Sequence, residues 1–365
     1  MSIYVEGLTM GREMHPGYTL IKNFEACANG AFTFARKDGE EYFVKAFLAP
    51  KVPKPDSKIS ARVRKKKQDA CNRFKKNFLG IIAAFNKNLN PKKGQLIYPS
   101  DFRQGGSTFF QFSPRIKIAH TDPREVAGYD SDIKLALLKS LANAVSLVHM
   151  HGVVHSDIKF ENVLIKKTSS GLLSTKIIDF DGSYFEKSPH PPALMHFDQS
   201  YMAPELSFYN QDDDRVQNTD MTTKADIFSL GVLMHEYCTG ERPRVVNMAP
   251  GDIYLGDAVN ANKEIVLNEE AIGTNLANII KKTLQKDYNE RPAATEILRE
   301  LNSAHIELHK VGHSSRPKSK PTAKVATTAK SVPKVKKATE EISMSGFKIV
   351  SKKKKDWVYH QSLFF

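Results

Sequence analysis

Eight residues, His155-Ser156-Asp157-Ile158-Lys159-Phe160-Glu161-Asn162, are framed by Val153-Val154 on one side and Val163-Leu164-Ile165 on the other. The apolar frame has to be buried, so the polar groups between its ends are pinned rather than free in solvent. A carboxylate, an ammonium and a carboxamide are thereby made to face one small volume. Further along, Ile177-Ile178-Asp179-Phe180-Asp181 sets another carboxylate at the end of a second strand-like apolar run.

Either stretch alone describes a polar turn between strands. In this order they carry the groups that phosphoryl transfer needs. A carboxylate orients the incoming hydroxyl and takes its proton, a cation steadies the moving phosphoryl group, and hard oxygens hold a divalent metal. The two stretches resemble the catalytic loop and metal loop of the eukaryotic-type serine/threonine protein kinase family. Lys159, two places after Asp157, resembles the serine/threonine branch rather than the tyrosine branch. The resemblance covers roughly residues 18–305. It implies an α+β, bilobal protein-kinase-like fold, with a small, mainly β N-lobe holding one long helix and a larger, mainly α C-lobe. It also implies ATP and Mg2+ as cofactors and a protein substrate. Asp157 and Lys159 are then the catalytic residues, Asn162 and Asp179 the metal ligands, and Lys45, Asn162, Asp179 and Gly30 the nucleotide-site residues.

The expected organisation is an N-lobe over residues 1–118, a C-lobe over 119–310 and a tail over 311–365. The net charge of +14 is concentrated in two segments. Residues 51–76 hold 11 Lys/Arg against 2 Asp, and residues 311–365 hold 13 Lys/Arg against 3 Asp/Glu, which leaves the remainder net acidic. Cys27, Cys71 and Cys238 are odd in number and far apart, which predicts a reducing, cytoplasmic setting and no disulfide framework. Neither a secretory leader nor an apolar run of about eighteen residues is expected.

In the N-terminal part, Lys37-Asp38-Gly39-Glu40 predicts a turn between strand-like runs, the second of which, Glu41 to Phe47, places Lys45 among apolar neighbours. By itself such a lysine reads as the blunt edge of a strand. The resemblance makes it the lysine that meets the ATP phosphates. Where the family has a glycine-rich loop, this chain has Asn29-Gly30-Ala31-Phe32, with Glu25 and Cys27 at positions expected to be glycine. Pro50, Pro53 and Pro55 mark a linker. A long helix is predicted over 58–88, from Ile59, Val63, Ala70, Phe74, Phe78, Ile81, Ile82 and Phe85. Its run Arg62, Arg64, Lys65, Lys66 and Lys67 reads as a solvated face in preference to a site for an acidic partner. The family's helix glutamate, partner of the strand lysine, is missing, because no Glu occurs between residues 42 and 124. Asp69 is left as a short substitute, or Lys45 is positioned by phosphate alone. A hairpin turning at Gln104-Gly105-Gly106-Ser107 leads to Ser113-Pro114-Arg115, where the passage between lobes begins and adenine is expected.

The C-terminal part predicts a helix from Asp130 or Ser131 to about Met150, a central apolar helix opening at Asp226, and helices over 275–286 and 292–303. His149, His151 and His155 read as structural rather than as metal ligands. Ser156 replaces the family's arginine, so activity is expected to be independent of an activation-segment phosphate held there. Asp181 replaces a glycine and is expected to tolerate unusual backbone angles. Met202-Ala203-Pro204-Glu205 resembles the end of the activation segment, with Glu205 paired to Arg291 as a brace. Residues 314–340 lack the apolar side chains to fold and predict disorder. Lys352 to Lys355, beside Trp357, Tyr359, Phe364 and Phe365, suits nucleic acid, anionic lipid or an acidic protein, with a merely solubilising tail the plain alternative. Two further readings stand beside an active kinase. One is a pseudokinase that keeps the fold as a nucleotide-binding or scaffold module. The other, a small-molecule phosphotransferase, is disfavoured by Lys159 and Ala203-Pro204-Glu205.

Overall fold

The computed structural model describes residues 8–27, 30–116, 123–168, 171–195, 197–249 and 251–308. The tail, and with it the readings placed on Lys352 to Phe365, lies outside the described residues. The N-terminal part is an antiparallel sheet of β1 (Glu13–His15), β2 (Tyr18–Leu20), β3 (Glu25–Cys27), β4 (Gly30–Lys37), β5 (Glu40–Phe47), β6 (Asp101–Gly105) and β7 (Thr108–Pro114), with α1 (Ala61–Asn86) between β5 and β6. The strand order is β1-β2-β4-β5-β7-β6, and β3 pairs with β4 beyond the end of β2. Asp38 and Gly39 both take positive φ, 51° and 79°, which closes the β4–β5 hairpin in the two-residue geometry that matches strand twist.

Strand alternation decides where Lys45 goes. Tyr42, Val44 and Ala46 of β5 pack into one aromatic cluster with Tyr18, Phe24, Phe110 and Phe112. Phe43, Lys45 and Phe47 therefore point to the other face. There Phe47 joins Phe78 and Ile82 of α1 and Phe102 and Phe109 of the β6–β7 hairpin. The apolar periodicity of α1 lays that helix across this face, close to the predicted bounds. Ser60 caps its start, accepting from Val63 N at 3.3 Å. The basic first half of α1 faces solvent, except that the Arg64 guanidinium donates to the carbonyls of Lys54, Pro55 and Ser57 and fastens the proline linker.

The C-terminal part comprises α2 (Pro123–Ala127), α3 (Ser131–His149), β8 (Val153–Val154), β9 (Val163–Lys167), β10 (Leu173–Ile177), β11 (Tyr184–Phe185), α4 (Pro204–Asn210), α5 (Lys224–Thr239), β12 (Arg244–Val245), α6 (Leu255–Asn260), β13 (Ile265–Val266), α7 (Glu269–Thr283) and α8 (Ala294–Ser303). β8 pairs with β11 and β9 with β10, so both ends of the catalytic stretch are fixed by ladders. α5 is buried on all sides, as apolar residues distributed round its whole circumference require. α7 is broken at Gly273 (φ 71°, ψ 160°): Asn268 accepts from Ala271 N and caps a short first turn, and the helix resumes beyond Gly273, close to the predicted start at 275.

The expected brace is present. Arg291 donates to both oxygens of Glu205, each at 2.7 Å, and its remaining donors reach the carbonyls of Gln285 and Lys224. Its side chain is wholly buried, so losing one partner strands a charge. Arg291→Met is expected to cost about 3–5 kcal/mol of unfolding free energy, part of it recovered on adding Glu205→Gln. Urea denaturation of the single and double variants reads this, and a single-variant loss under about 1 kcal/mol contradicts it.

Candidate active site

The catalytic stretch hangs from α5. Asp226, in the first turn of that helix, accepts His155 N at 2.7 Å and Ser156 N at 2.8 Å, and also meets His149 Nε2 at 3.0 Å. These bonds hold Ser156 at φ 68°, a left-handed conformation that costs a non-glycine residue energy. The buried Ser156 hydroxyl donates to Gly182 O at 3.0 Å, so it ties the catalytic loop to the start of the activation segment. His155 Nε2 donates to Ile178 O at 2.9 Å. Tyr98, Phe85, Phe180 and His155 form a continuous chain of tilted and edge-to-face ring contacts with centroid spacings of 5.1, 5.2 and 4.8 Å, joining α1 to both loops.

Asp157 then falls where two functional neighbours share one of its oxygens. Its Oδ2 accepts Asn162 Nδ2 at 2.8 Å and the Lys159 ammonium at 2.9 Å, while Oδ1 accepts Asp198 N at 2.9 Å. Burial pushes the Asp157 carboxyl above the ordinary range and the charge of Asp179 pushes the same way, against Lys159. A raised carboxyl is a stronger proton acceptor than a free one. Burial works against the Lys159 ammonium, but Asp157 overrides it and holds that pKa up.

Lys45 approaches from β5. Its ammonium lies 3.2 and 3.4 Å from the Asp179 oxygens and is also paired with Asp181 Oδ2. Burial would lower the Lys45 pKa; Asp179 and then Asp181 more than offset it, so the lysine stays charged. Asp179 is likewise held down by Lys45 against a burial that would raise it. Asp181 is pushed up to about 7, first by burial and then by the charge of Asp179. Gln111 Nε2, on β7 opposite Lys45, donates to Asp181 Oδ1 at 2.9 Å. Asp181, in a position where tolerance of unusual backbone angles is the expectation, does not take a positive φ; Asp179 does, at 63°.

The donor set suits a hard divalent ion. Asp179 offers a partly exposed carboxylate, and Asn162, whose amide nitrogen is committed to Asp157, has its amide oxygen to offer. Among the described residues no group of three His, Cys, Asp or Glu side chains is arranged to hold a metal, so phosphate and water oxygens would have to complete the shell. The three histidines are structural: His149 meets Asp226, His151 Nδ1 meets Leu147 O, and His155 meets Ile178 O.

Several residues stand apart from their expected roles. Asp69 makes no ion pair among the described residues. The polar reach of α1 is Asn77, whose Nδ2 donates to Ser183 O at 2.9 Å. Its signal was an amide on an otherwise apolar face. Gly30 has a packing reason to be glycine: a Cβ there would lie 2.0 Å from Ala46 O on β5. Arg115 N and the Arg115 guanidinium both engage Glu41, at 2.9 and 2.7 Å, so the end of β7 is tied to β5. Residues 117–122, which carry the chain onward from there, are outside the described residues.

A β-rich sheet beside a helical region, with an Asp-Lys-Asn loop facing a strand lysine and a second carboxylate, defines a bilobal phosphotransferase-type fold. The protein kinase domain family model matches residues 106–301. The chain belongs to the protein kinase family. It is 29% identical over 177 residues to the serine/threonine-protein kinase VPS15 of Saccharomyces cerevisiae, covering 47% of this chain and 12% of that protein. It is 23% identical over 276 residues to human serine/threonine-protein kinase ULK1, covering 72% and 24%. It is 28% identical over 223 residues to mitogen-activated protein kinase kinase 3 of Arabidopsis thaliana, covering 60% and 38%. The chain thus spans 12–38% of the length of these three relatives. Among the described residues no helix is long and apolar enough to cross a membrane.

The Gly30 geometry yields a test. Gly30→Ala is expected to lower the thermal midpoint by several degrees in the absence of nucleotide, because the clash is with backbone that has no room to yield. An unchanged midpoint in differential scanning fluorimetry contradicts the packing account.

Proposed function

We propose that the chain is a magnesium-dependent protein kinase that transfers the ATP γ-phosphate to serine or threonine hydroxyls of a protein substrate. The observation that carries this reading is the shared oxygen of Asp157, which brings Lys159 and Asn162 onto the carboxylate assigned to accept the hydroxyl proton. Asp157 Oδ2 sits between the two groups and Oδ1 is held by Asp198 N, so the carboxylate is oriented before any substrate arrives. Its raised pKa supports the role of proton acceptor. Lys159 steadies charge on the transferring group, and Lys45 meets the nucleotide phosphates. Asn162 and Asp179 are the residues that would hold magnesium, which when bound neutralises phosphate charge and orients the triphosphate. The serine/threonine preference rests on Lys159 and on the likeness to the serine/threonine-protein kinases VPS15 and ULK1. Residues 1–118 and 119–310 serve as the two lobes in this reading, and the basic tail carries no part of it.

A pseudokinase is the second reading, favoured by one observation: α1 presents no carboxylate to Lys45. Phosphate transfer from radiolabelled ATP to a generic basic protein separates the two. Asp157→Asn is expected to cut turnover by roughly 10³-fold or more, equivalent to about 4 kcal/mol of transition-state stabilisation, with the thermal midpoint nearly unchanged. A folded variant that keeps more than about a tenth of the wild-type rate contradicts the assignment.

A further inference from the structure

Lys45 lies in the middle of β5 on the α1 face, with its side chain only 8% exposed. An ammonium in such a place needs a fixed anion beside it. α1 does not supply one. Its one acidic residue is Asp69, which makes no ion pair among the described residues. The carboxylates that do meet Lys45, among the described residues, are Asp179 and Asp181. Asp179 has a competing task as a metal-ligand candidate, whereas Asp181 has none. Gln111 Nε2 occupies Asp181 Oδ1, which turns Oδ2 to the lysine. Gln111 is itself the cross-strand neighbour of Lys45. Strand amide, loop carboxylate and strand lysine are thus linked in series. Asp181 stands where the resemblance calls for glycine, yet its φ is not positive, so the side chain comes without left-handed strain.

We propose that Asp181 is the positioning residue for Lys45, supplying from the metal loop the carboxylate that α1 lacks. This rests on the reading of Lys45 as the phosphate-contacting lysine. Two departures from the family pattern, an acid gained at 181 and an acid missing from α1, are then one compensated change. The orientation of Lys45 follows the metal loop instead of the helix. α1 keeps its own link to the segment after that loop through Asn77 and Ser183 O.

A double-mutant cycle between positions 45 and 181 tests the pairing. In urea denaturation, Asp181→Asn should lower the midpoint of the wild type but raise that of Lys45→Met, where the buried carboxylate has lost its ammonium. Equal shifts in both backgrounds overturn the proposal, and this readout needs no nucleotide. With a fluorescent ADP analogue and magnesium, Asp181→Asn should weaken binding about tenfold in the wild type and less than about twofold in Lys45→Met. Asp69→Ala should change neither. In turnover, kcat/KM for ATP should fall at least about tenfold in Asp181→Asn and in Asp181→Gly, with partial rescue in Asp181→Glu. Wild-type protein that transfers no phosphate sinks the functional reading and leaves the urea cycle to decide the pairing. An active wild type matched by Asp181→Asn sinks the pairing alone.

Discussion

A single buried carboxylate sets the frame of the site. Asp226 is 1% exposed and accepts the consecutive backbone amides of His155 and Ser156. Two charge-assisted bonds on adjacent amides fix both position and twist, and they offset the left-handed strain at Ser156. Because Asp226 belongs to the most deeply buried helix of the C-terminal part, the loop inherits that helix's rigidity. From there the geometry propagates. His155 holds Ile178 O, the Phe180 ring meets His155 edge to face, and Asp179 comes to lie beside Asp157 closely enough for its charge to raise that carboxyl. Without the α5 anchor, none of the polar side chains has a reason to converge.

Much of this was legible because apolar framing is a local signal. Val153-Val154 and Val163-Leu164-Ile165 form the ladders their composition calls for, and the loop between them has nowhere else to go. The periodicity of Phe74, Phe78, Ile81, Ile82 and Phe85 and the three upstream prolines placed α1 within a few residues of its true ends. The Glu205–Arg291 brace was also foreseen, on the strength of the family pattern. What stayed hidden depends on contacts between residues far apart in sequence. In sequence, Asp181 is a residue in a glycine's place and raises only a backbone question; its consequence is electrostatic and lies on β5. No periodicity announces that pairing, since Lys45 and Asp181 meet only after the sheet, α1 and the metal loop have all been assembled. Asn77 is illegible for a similar reason: an amide on a helix face has no meaning until a carbonyl is set against it. Gly30 carried the opposite lesson. A glycine expected to make room for phosphate is needed, at the least, to clear the Ala46 carbonyl.

The charge pattern around Lys45 explains how a site short of one family carboxylate stays balanced. One ammonium faces two carboxylates in a largely buried setting: Lys45 holds Asp179 down against its burial, while burial and the charge of Asp179 raise Asp181. Asp179, the more exposed of the two, is the one placed to exchange its share of the lysine for another cation. The strongly basic first half of α1 stands apart from this balance; it points to solvent, and Arg64 spends its donors on the linker.

The central claim is convergence of Lys45, Asp157, Asn162 and Asp179 on one triphosphate and one divalent ion. The most direct measurement is a crystal structure of the chain with magnesium and a non-hydrolysable ATP analogue. The account predicts the ion between the Asn162 amide oxygen and the Asp179 carboxylate, with the Lys45 ammonium on a phosphate oxygen. A nucleotide bound elsewhere, or a cleft that stays empty at saturating ligand while Lys45 keeps both carboxylates, contradicts it.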